Sequence, residues 1–364
     1  MINTRSYEIK LYPNKSQEQQ LSDYFYESKL LYNYLLTCNN VFAVNSSKVT
    51  HVHKLDKDGN QIQVSLTKLP HKLKQNVQRS IMSSIKGLSV LKKHGKKVGR
   101  LKFKSRIKSI NIDNQSYWVK DEHHITLLGF KGESIRCRGL NQLYGNVVKF
   151  KGSVLQHRSS GFYMILTVAK EEPEHEVVNK NLGLDMGIKD SLIFSNGEKY
   201  KCLVEEPVRL KKIQRKMAKS LRINNKKRTN NYRKLQNKLH REYEKLDNIK
   251  SEFKHQMMHK FNDYDHIVFQ NESLQSWKNL KSNRKTIQHS CLGSIKQALI
   301  AKTEEQPGRY IMIDKWEATT QTCPRCGKKN PHELDERIYR CSCGYTEDRD
   351  VHAAKNMLRF ANLM

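Results

Sequence analysis

The chain has 364 residues, with 67 Lys and Arg against 36 Asp and Glu, and a net charge of +31. That length gives room for two or three domains and a real core, and the charge points to a polyanionic partner. A membrane surface could also attract that charge, but no apolar run approaches the roughly 18 residues of a membrane-spanning helix, and no signal peptide is read ahead of the first strand. The eight cysteines do not form a secreted framework in a chain this large, so an intracellular, reducing location is expected.

In chain order, Tyr7 to Tyr12 alternates like a strand and ends at Pro13-Asn14. Ser16-Gln17-Glu18-Gln19 has capping-box spacing and predicts the start of a helix with Leu21 and Phe25 on its apolar face. Asp56-Lys57-Asp58-Gly59-Asn60 resembles a calcium loop but lacks its glycine at Gln61 and its glutamate at Thr67, so it is read as a turn between Val49–Lys54 and Gln61–Leu66. Leu73, Val77, Ile81, Ile85 and Leu88 have helical spacing within Leu69–Leu91. Short strands follow at Ile110–Ile112, Ile125–Leu128, Ile135–Arg138, Val147–Phe150 and Phe162–Val168, which predicts a small β-barrel or sandwich. Glu171 to Glu176 is a polar, acidic bridge and an expected boundary.

Beyond it an α/β domain is predicted. Leu182–Asp185, Leu192–Phe194 and Lys199–Leu203 read as strands, with Asn196-Gly197 as a tight turn. A basic helical hairpin spans Val208–Phe261, a buried strand Ile267–Gln270, a helix Ile287–Lys302 and another strand Tyr310–Ile313. Val351, Ala354, Met357, Leu358 and Ala361 form the stripe of a last helix.

Two stretches carry no acid at all. Gly59–Ile112 holds fourteen Lys or Arg, and Pro207–Arg241 fourteen more. A charge run is usually a solvated helix face, but here the usual mixing of signs is absent twice, which reads as channels that track phosphate backbones.

Three acidic residues stand out against that background: Asp185 in Gly183-Leu184-Asp185-Met186-Gly187, Glu272 in Gln270-Asn271-Glu272, and Asp350 in Asp348-Arg349-Asp350. Singly, each has an ordinary explanation: a turn aspartate, a solvated residue after a strand, an acid at a helix start. Together they lie on a meander, a later central strand and a final helix, as in an RNase-H-like sheet that gathers three carboxylates at one edge. Such a trio needs cations, and two Mg2+ ions about 4 Å apart would activate water and stabilise the leaving oxygen of a scissile phosphate. Strand-transfer transposases usually present Asp, Asp, Glu, so the order Asp, Glu, Asp favours a RuvC-type nuclease.

Four of the eight cysteines are clustered, whereas Cys38, Cys137, Cys202 and Cys291 are scattered. Cys323-Pro324-Arg325-Cys326 and Cys341-Ser342-Cys343, each pair followed by glycine, predict a structural Zn2+ ribbon with no open catalytic position. The ribbon is expected to place Asp350.

These motifs resemble the TnpB family, transposon-encoded proteins related to the miniature type V CRISPR effectors. The resemblance rests on Gly183-Leu184-Asp185-Met186-Gly187-Ile188-Lys189, Phe269-Gln270-Asn271-Glu272, Thr322-Cys323-Pro324-Arg325-Cys326-Gly327 and Asp348-Arg349-Asp350-Val351-His352-Ala353-Ala354-Lys355-Asn356. Lys10-Leu11-Tyr12-Pro13 and Tyr32-Asn33 add to it, and His352 departs from the family's usual Asn. It implies an RNA-guided DNA endonuclease acting in a prokaryotic cytoplasm, at the nucleoid, with no membrane partner. Its guide RNA would come from the transposon end, and its double-stranded target would lie beside a short adjacent motif. Asp185, Glu272 and Asp350 match the family's three catalytic residues. The implied fold is α+β and multidomain: a β-barrel wedge domain (1–14 and 96–176), an inserted helical recognition lobe (15–95), and a RuvC-like domain (177–315 and 346–364) carrying the zinc ribbon (316–345). For readout of duplex DNA, Lys74 and Gln78, four apart on a basic helix, are the candidates with neighbouring Arg79. Two other readings remain: a protein-only transposase or structure-specific nuclease, and a guide-dependent DNA-binding repressor, against which the retained carboxylates argue.

Overall fold

The computed structural model describes residues 2–56, 58–143, 147–171, 176–279, 281–331 and 336–364, with backbone alone at 281, 282 and 285. The chain divides into two compact units, 1–173 and 174–364. The expected bridge at 171–176 falls largely on 172–175, and Lys57 of the expected turn also lies outside the described residues. No described helix is long and apolar enough to cross a membrane.

The first unit contains β1 (Ile2–Tyr12), α1 (Lys15–Thr37), β2 (His51–Leu55), β3 (Gln61–Ser65), α2 (His71–Lys93), β4 (Ser109–Ile112), β5 (Tyr117–Asp121), β6 (His124–Leu127), β7 (Ser134–Arg138), β8 (Val147–Phe150), β9 (Ser153–Arg158) and β10 (Gly161–Glu171). Its main sheet is antiparallel, in the order β4-β9-β10-β1-β7-β6-β5, with β8 also on β10. Among the described residues the pairing runs from β4 to β5 without returning to close a ring. Alternate residues of β10 (Phe162, Met164, Leu166, Val168) turn inward to meet Leu21, Leu31 and Leu35 of α1 and Leu73, Val77 and Ile81 of α2 in one apolar core.

The capping box of α1 is Asn14/Gln17, two residues earlier than the Ser16 start expected. The Asn14 side chain accepts from the Gln17 N–H at 2.9 Å, and Gln17 Oε1 accepts from the Asn14 N–H at 3.1 Å. Asn14 directly follows Pro13, where the strand must stop, so it is first to meet the orphan amides.

The second unit contains β11 (Asn181–Asp185), β12 (Leu192–Phe194), β13 (Lys199–Tyr200), α3 (Val208–Ile223), α4 (Asn230–Lys260), β14 (His266–Gln270), α5 (Leu274–Asn279), α6 (Lys281–His289), α7 (Leu292–Glu305), β15 (Tyr310–Ile313), β16 (Ile338–Arg340), β17 (Thr346–Asp348) and α8 (Arg349–Phe360). Its sheet has the order β13-β12-β11-β14-β15. An antiparallel meander (β13, β12, β11) continues into parallel β14 and β15. Parallel strands end at the same edge, so the residues after β11, β14 and β15 are brought together there. Leu182, Leu184, Ile267 and Phe269 pack with Leu292, Ile295 and Leu299 of α7.

The helix expected from 287 to 302 is two helices, broken at Ser290-Cys291. Leu203 bridges Ser290, and Cys202 forms a disulfide with Cys291 across a Cα separation of 5.9 Å. Two of the cysteines read as scattered thiols are therefore neighbours in space. In the α3–α4 hairpin, Ile213, Met217 and Tyr232 bury the apolar stripes, leaving most of the basic residues outside.

Candidate active site

Asp185 is the last residue of β11, Glu272 lies two residues beyond β14, and Asp350 sits in the first turn of α8. Gly183 sets the third of these against the first. An added Cβ on Gly183 would stand 1.8 Å from the Ala354 carbonyl oxygen, so only glycine lets α8 come this close to β11. The missing side chain at Gly183 thus admits the backbone of α8. Gly187 is similarly closed, by the Asp190 carbonyl, 2.7 Å from its would-be Cβ.

Asp348 begins α8. Its Oδ1 accepts from the N–H groups of Asp350 and Val351 at 3.0 and 3.2 Å, and its Oδ2 accepts from Lys199 Nζ at 2.7 Å. Burial opposes ionisation of Asp348, but Lys199 and the two amides outweigh it and hold the carboxyl below the ordinary range. Lys199 belongs to β13, so this cap also ties α8 to the meander.

Protein atoms crowd the Asp185 carboxyl, and this desolvation raises its pKa well above the ordinary value; the charges of Asp350 and Glu272 raise it further. The Met186 amide and the Arg349 guanidinium act in the opposite direction. Burial also raises Glu272, partly offset by Lys296, whose Nζ reaches the Glu272 carbonyl and lies 3.2 Å from Asn271 Oδ1. Asp350 is flanked by Arg349 at 3.3 Å and Arg337 at 3.6 Å. Asp185 therefore senses both of the other carboxylates, and a hard divalent cation with oxygen ligands suits such a donor set. Their oxygens do not all lie within 4.8 Å of one another, a spacing reached among the described residues only by the cysteine cluster.

Cys323 and Cys343 sulfurs are 3.6 Å apart, and those of Cys326 and Cys341 3.5 Å. Four thiolates at 2.3 Å around a tetrahedral Zn2+ stand about 3.8 Å from one another, so this donor set fits that ion. Each pair closes a tight knuckle: Gly327 N–H donates to the Cys323 carbonyl and Gly344 N–H to that of Cys341, with φ of +75° and +84° at the glycines. The Cys343 amide, first among its causes, pulls the Cys341 thiol down to about 6.

One face of α8 holds this cluster. Asn356 Nδ2 donates to the carbonyls of Thr319 and Thr322 at 2.7 and 2.6 Å, Arg359 donates to that of Cys323, and Lys355 pairs with Glu347. His352, fully buried, stacks on Tyr339 with ring centroids 3.7 Å apart. The residue that departs from the family pattern thus packs the cysteine segment against α8.

The candidates for duplex readout fare differently. Lys74 is 6% exposed and donates to the carbonyls of Val49 and Leu66 at 2.8 and 2.9 Å. Gln78 is 9% exposed; it donates to Val41 and Val44 carbonyls and accepts from the Ser46 hydroxyl. Both side chains are consumed in binding the loop before α2, which corrects their reading as groups offered to a DNA groove. Arg79 is exposed and donates to Asn76 Oδ1 at 3.1 Å.

Sequence reasoning missed Asp348, Lys199, Gln270 and Lys296 as builders of this edge. The N-cap position of Asp348 before an apolar stripe was the available signal for one of them; the others depend on long-range pairing.

Three family models match parts of the chain. One, described as "Cas12f1-like, TNB domain", matches 293–357; one, described as "Probable transposase", matches 164–269; a "Helix-turn-helix domain" matches 1–40. The last region folds here as strand β1 followed by helix α1. A Streptomyces pristinaespiralis protein named as an RNA-guided DNA endonuclease is 26% identical over 49% of this chain and 44% of its own length. Two TnpB-like proteins of Acanthamoeba polyphaga mimivirus, L770 and R854, are each 25% identical over 97% of this chain and 72% of their own. The chain thus spans less than half of the Streptomyces relative. A solved Cas12f1–sgRNA–target DNA complex covers 98% of both chains at 16% identity, but its TM-score of 0.25 is too low to carry an argument. Together with the TnpB-type motifs around the site, these matches support a member of the TnpB family.

Proposed function

We propose that this protein is an RNA-guided DNA endonuclease that hydrolyses a phosphodiester at Asp185, Glu272 and Asp350. The observation that carries the reading is the convergence of these three carboxylates, from β11, the β14 turn and α8, close enough for Asp350 and Glu272 to raise the pKa of Asp185. The β13-β12-β11-β14-β15 order supports a RuvC-like domain at 177–315 and 346–364, with a zinc ribbon at 316–345. The first unit would supply the wedge domain and recognition lobe.

Mg2+ bound at the three carboxylates would supply Lewis-acid stabilisation of the phosphate and an activated water. The chain's own residues hold the carboxylates for it. Asp348 and Lys199 fix the start of α8 and so Asp350; Lys296 holds the turn that carries Glu272; Gly183 sets α8 against Asp185. Arg337 and Arg349 offset the charge of Asp350. Zn2+ at Cys323, Cys326, Cys341 and Cys343 would have a structural role. Sequence choice would rest with a guide RNA from the transposon end, while basic surfaces such as the α3–α4 hairpin grip the phosphate backbone. The target would be double-stranded DNA beside a short adjacent motif.

The test is cutting of guide-matched DNA by the RNA-loaded chain and by Asp185→Ala, Glu272→Ala and Asp350→Ala. Each variant is expected to bind like wild type and to lose cutting by at least about 100-fold, the scale set by loss of an electrostatic contributor to the reaction. Cutting that survives all three changes would overturn the assignment.

A further inference from the structure

Trp316 is 82% exposed, the most exposed of the large apolar side chains among the described residues. It follows β15 by three residues, and Ile313 at the end of that strand is in register with Gln270 of β14. It therefore stands at the sheet edge that carries Asp185 and Glu272.

The turn presenting it is built rather than loose. The Trp316 N–H donates to Asp314 Oδ1 at 2.8 Å. Gln270, 4% exposed, donates from Nε2 to the Asp314 and Glu317 carbonyls at 3.0 and 2.9 Å, on either side of Trp316. Its Oε1 accepts from the Thr319 hydroxyl at 3.2 Å, so the whole amide is committed to this turn. The strand that leads to Glu272 thus uses a buried polar side chain to hold an exposed indole. Lys315 Nζ lies 4.6 Å from the indole, a cation over the ring that leaves an aromatic surface open.

We propose that Trp316 is a stacking platform for an unpaired nucleobase of the strand held at the carboxylates, with Lys315 against a neighbouring phosphate. Base faces inside a duplex are covered by their neighbours, so the ligand is single-stranded nucleic acid. Stacking of this kind tolerates any base. The proposal rests on the nuclease reading of the same edge.

The test uses the full chain carrying Asp185→Ala, so that nothing is cut, with Trp118→Phe and Trp277→Phe leaving Trp316 as the sole tryptophan. Oligothymidylate of about ten nucleotides and an abasic oligomer of equal length are titrated against it. Thymine should quench Trp316 emission and the abasic chain should not. Trp316→Ala should weaken thymidylate binding about 5- to 160-fold while leaving abasic binding unchanged, and Trp316→Phe should restore part of the loss. If the tryptophan replacements unfold the chain, the Trp316→Ala and Trp316→Phe affinities decide alone. Equal quenching by both oligomers, or equal affinities of Trp316→Ala and wild type for thymidylate, overturns the proposal. A chain that cuts guided targets without base-dependent quenching loses the stacking site and keeps the nuclease reading. A chain that stacks bases but never cuts does the reverse.

Discussion

Gly183 and Ala354 meet so closely that a single added carbon on the glycine would lie 1.8 Å from the alanine carbonyl oxygen. The neighbour is helix backbone, which cannot swing aside like a side chain. This contact sets α8, and with it Asp350, against the strand that ends in Asp185.

Gly183→Ala should therefore cost about 1–3 kcal/mol or more, the scale of overpacking a close-fitted interior. It should also reduce cutting, because α8 must move. Thermal unfolding and a cutting assay check both; a wild-type midpoint would show that the contact is slack.

Cys323→Ser with Cys326→Ser should lower zinc content from one ion per chain to none. The segment should then become sensitive to protease, because His352, Asn356 and Arg359 lose what they hold. Elemental analysis and limited proteolysis measure this. Unchanged zinc in the double variant would rule out the ribbon.

Gln78→Ala should destabilise the first unit by about 1–3 kcal/mol, since it leaves the Val41 and Val44 carbonyls and the Ser46 hydroxyl without this partner. Denaturant unfolding measures it. Unchanged stability with altered DNA preference would return Gln78 to the role of a base reader.

Asp185 has a direction of pH dependence that can be worked out. A carboxyl whose folded pKa lies above its unfolded value holds its proton more tightly in the folded chain. Its contribution to stability is fully present below the ordinary 3.8 and is lost as pH rises through the raised value. Without Mg2+, Asp185→Asn should thus stabilise the chain at neutral pH, with the gain shrinking as pH falls toward 4. Melting curves across that range check it; a gain that grows toward acid would reverse the sign.

Much of the candidate site is legible in the sequence because its signals are local. Strands β11, β14 and β15 are short apolar runs with turn residues at their ends, and the cysteine pairs announce themselves by spacing. What was not legible depends on residues far apart. The break before α7 follows from Cys202 meeting Cys291, 89 residues away. Lys74 and Gln78 look like an exposed basic face until the loop carbonyls of Val41, Val44, Val49 and Leu66 arrive to take their donors. Strands β5 and β9 escaped because Trp118-Val119-Lys120 and Gln156-His157-Arg158 lack a clean alternation of apolar and polar residues. Asn14 and Ser16 both offer capping-box spacing, and only the position of the strand end chooses between them.

The most direct measurement is to express the chain with its own flanking DNA, purify it, sequence the RNA it carries, and offer it a plasmid matching that RNA's variable end with Mg2+ present. One dominant RNA, with a constant structured part and a short terminal stretch, together with cutting that Asp185→Ala abolishes, is the predicted result. Random or absent RNA and an uncut matched plasmid would contradict it.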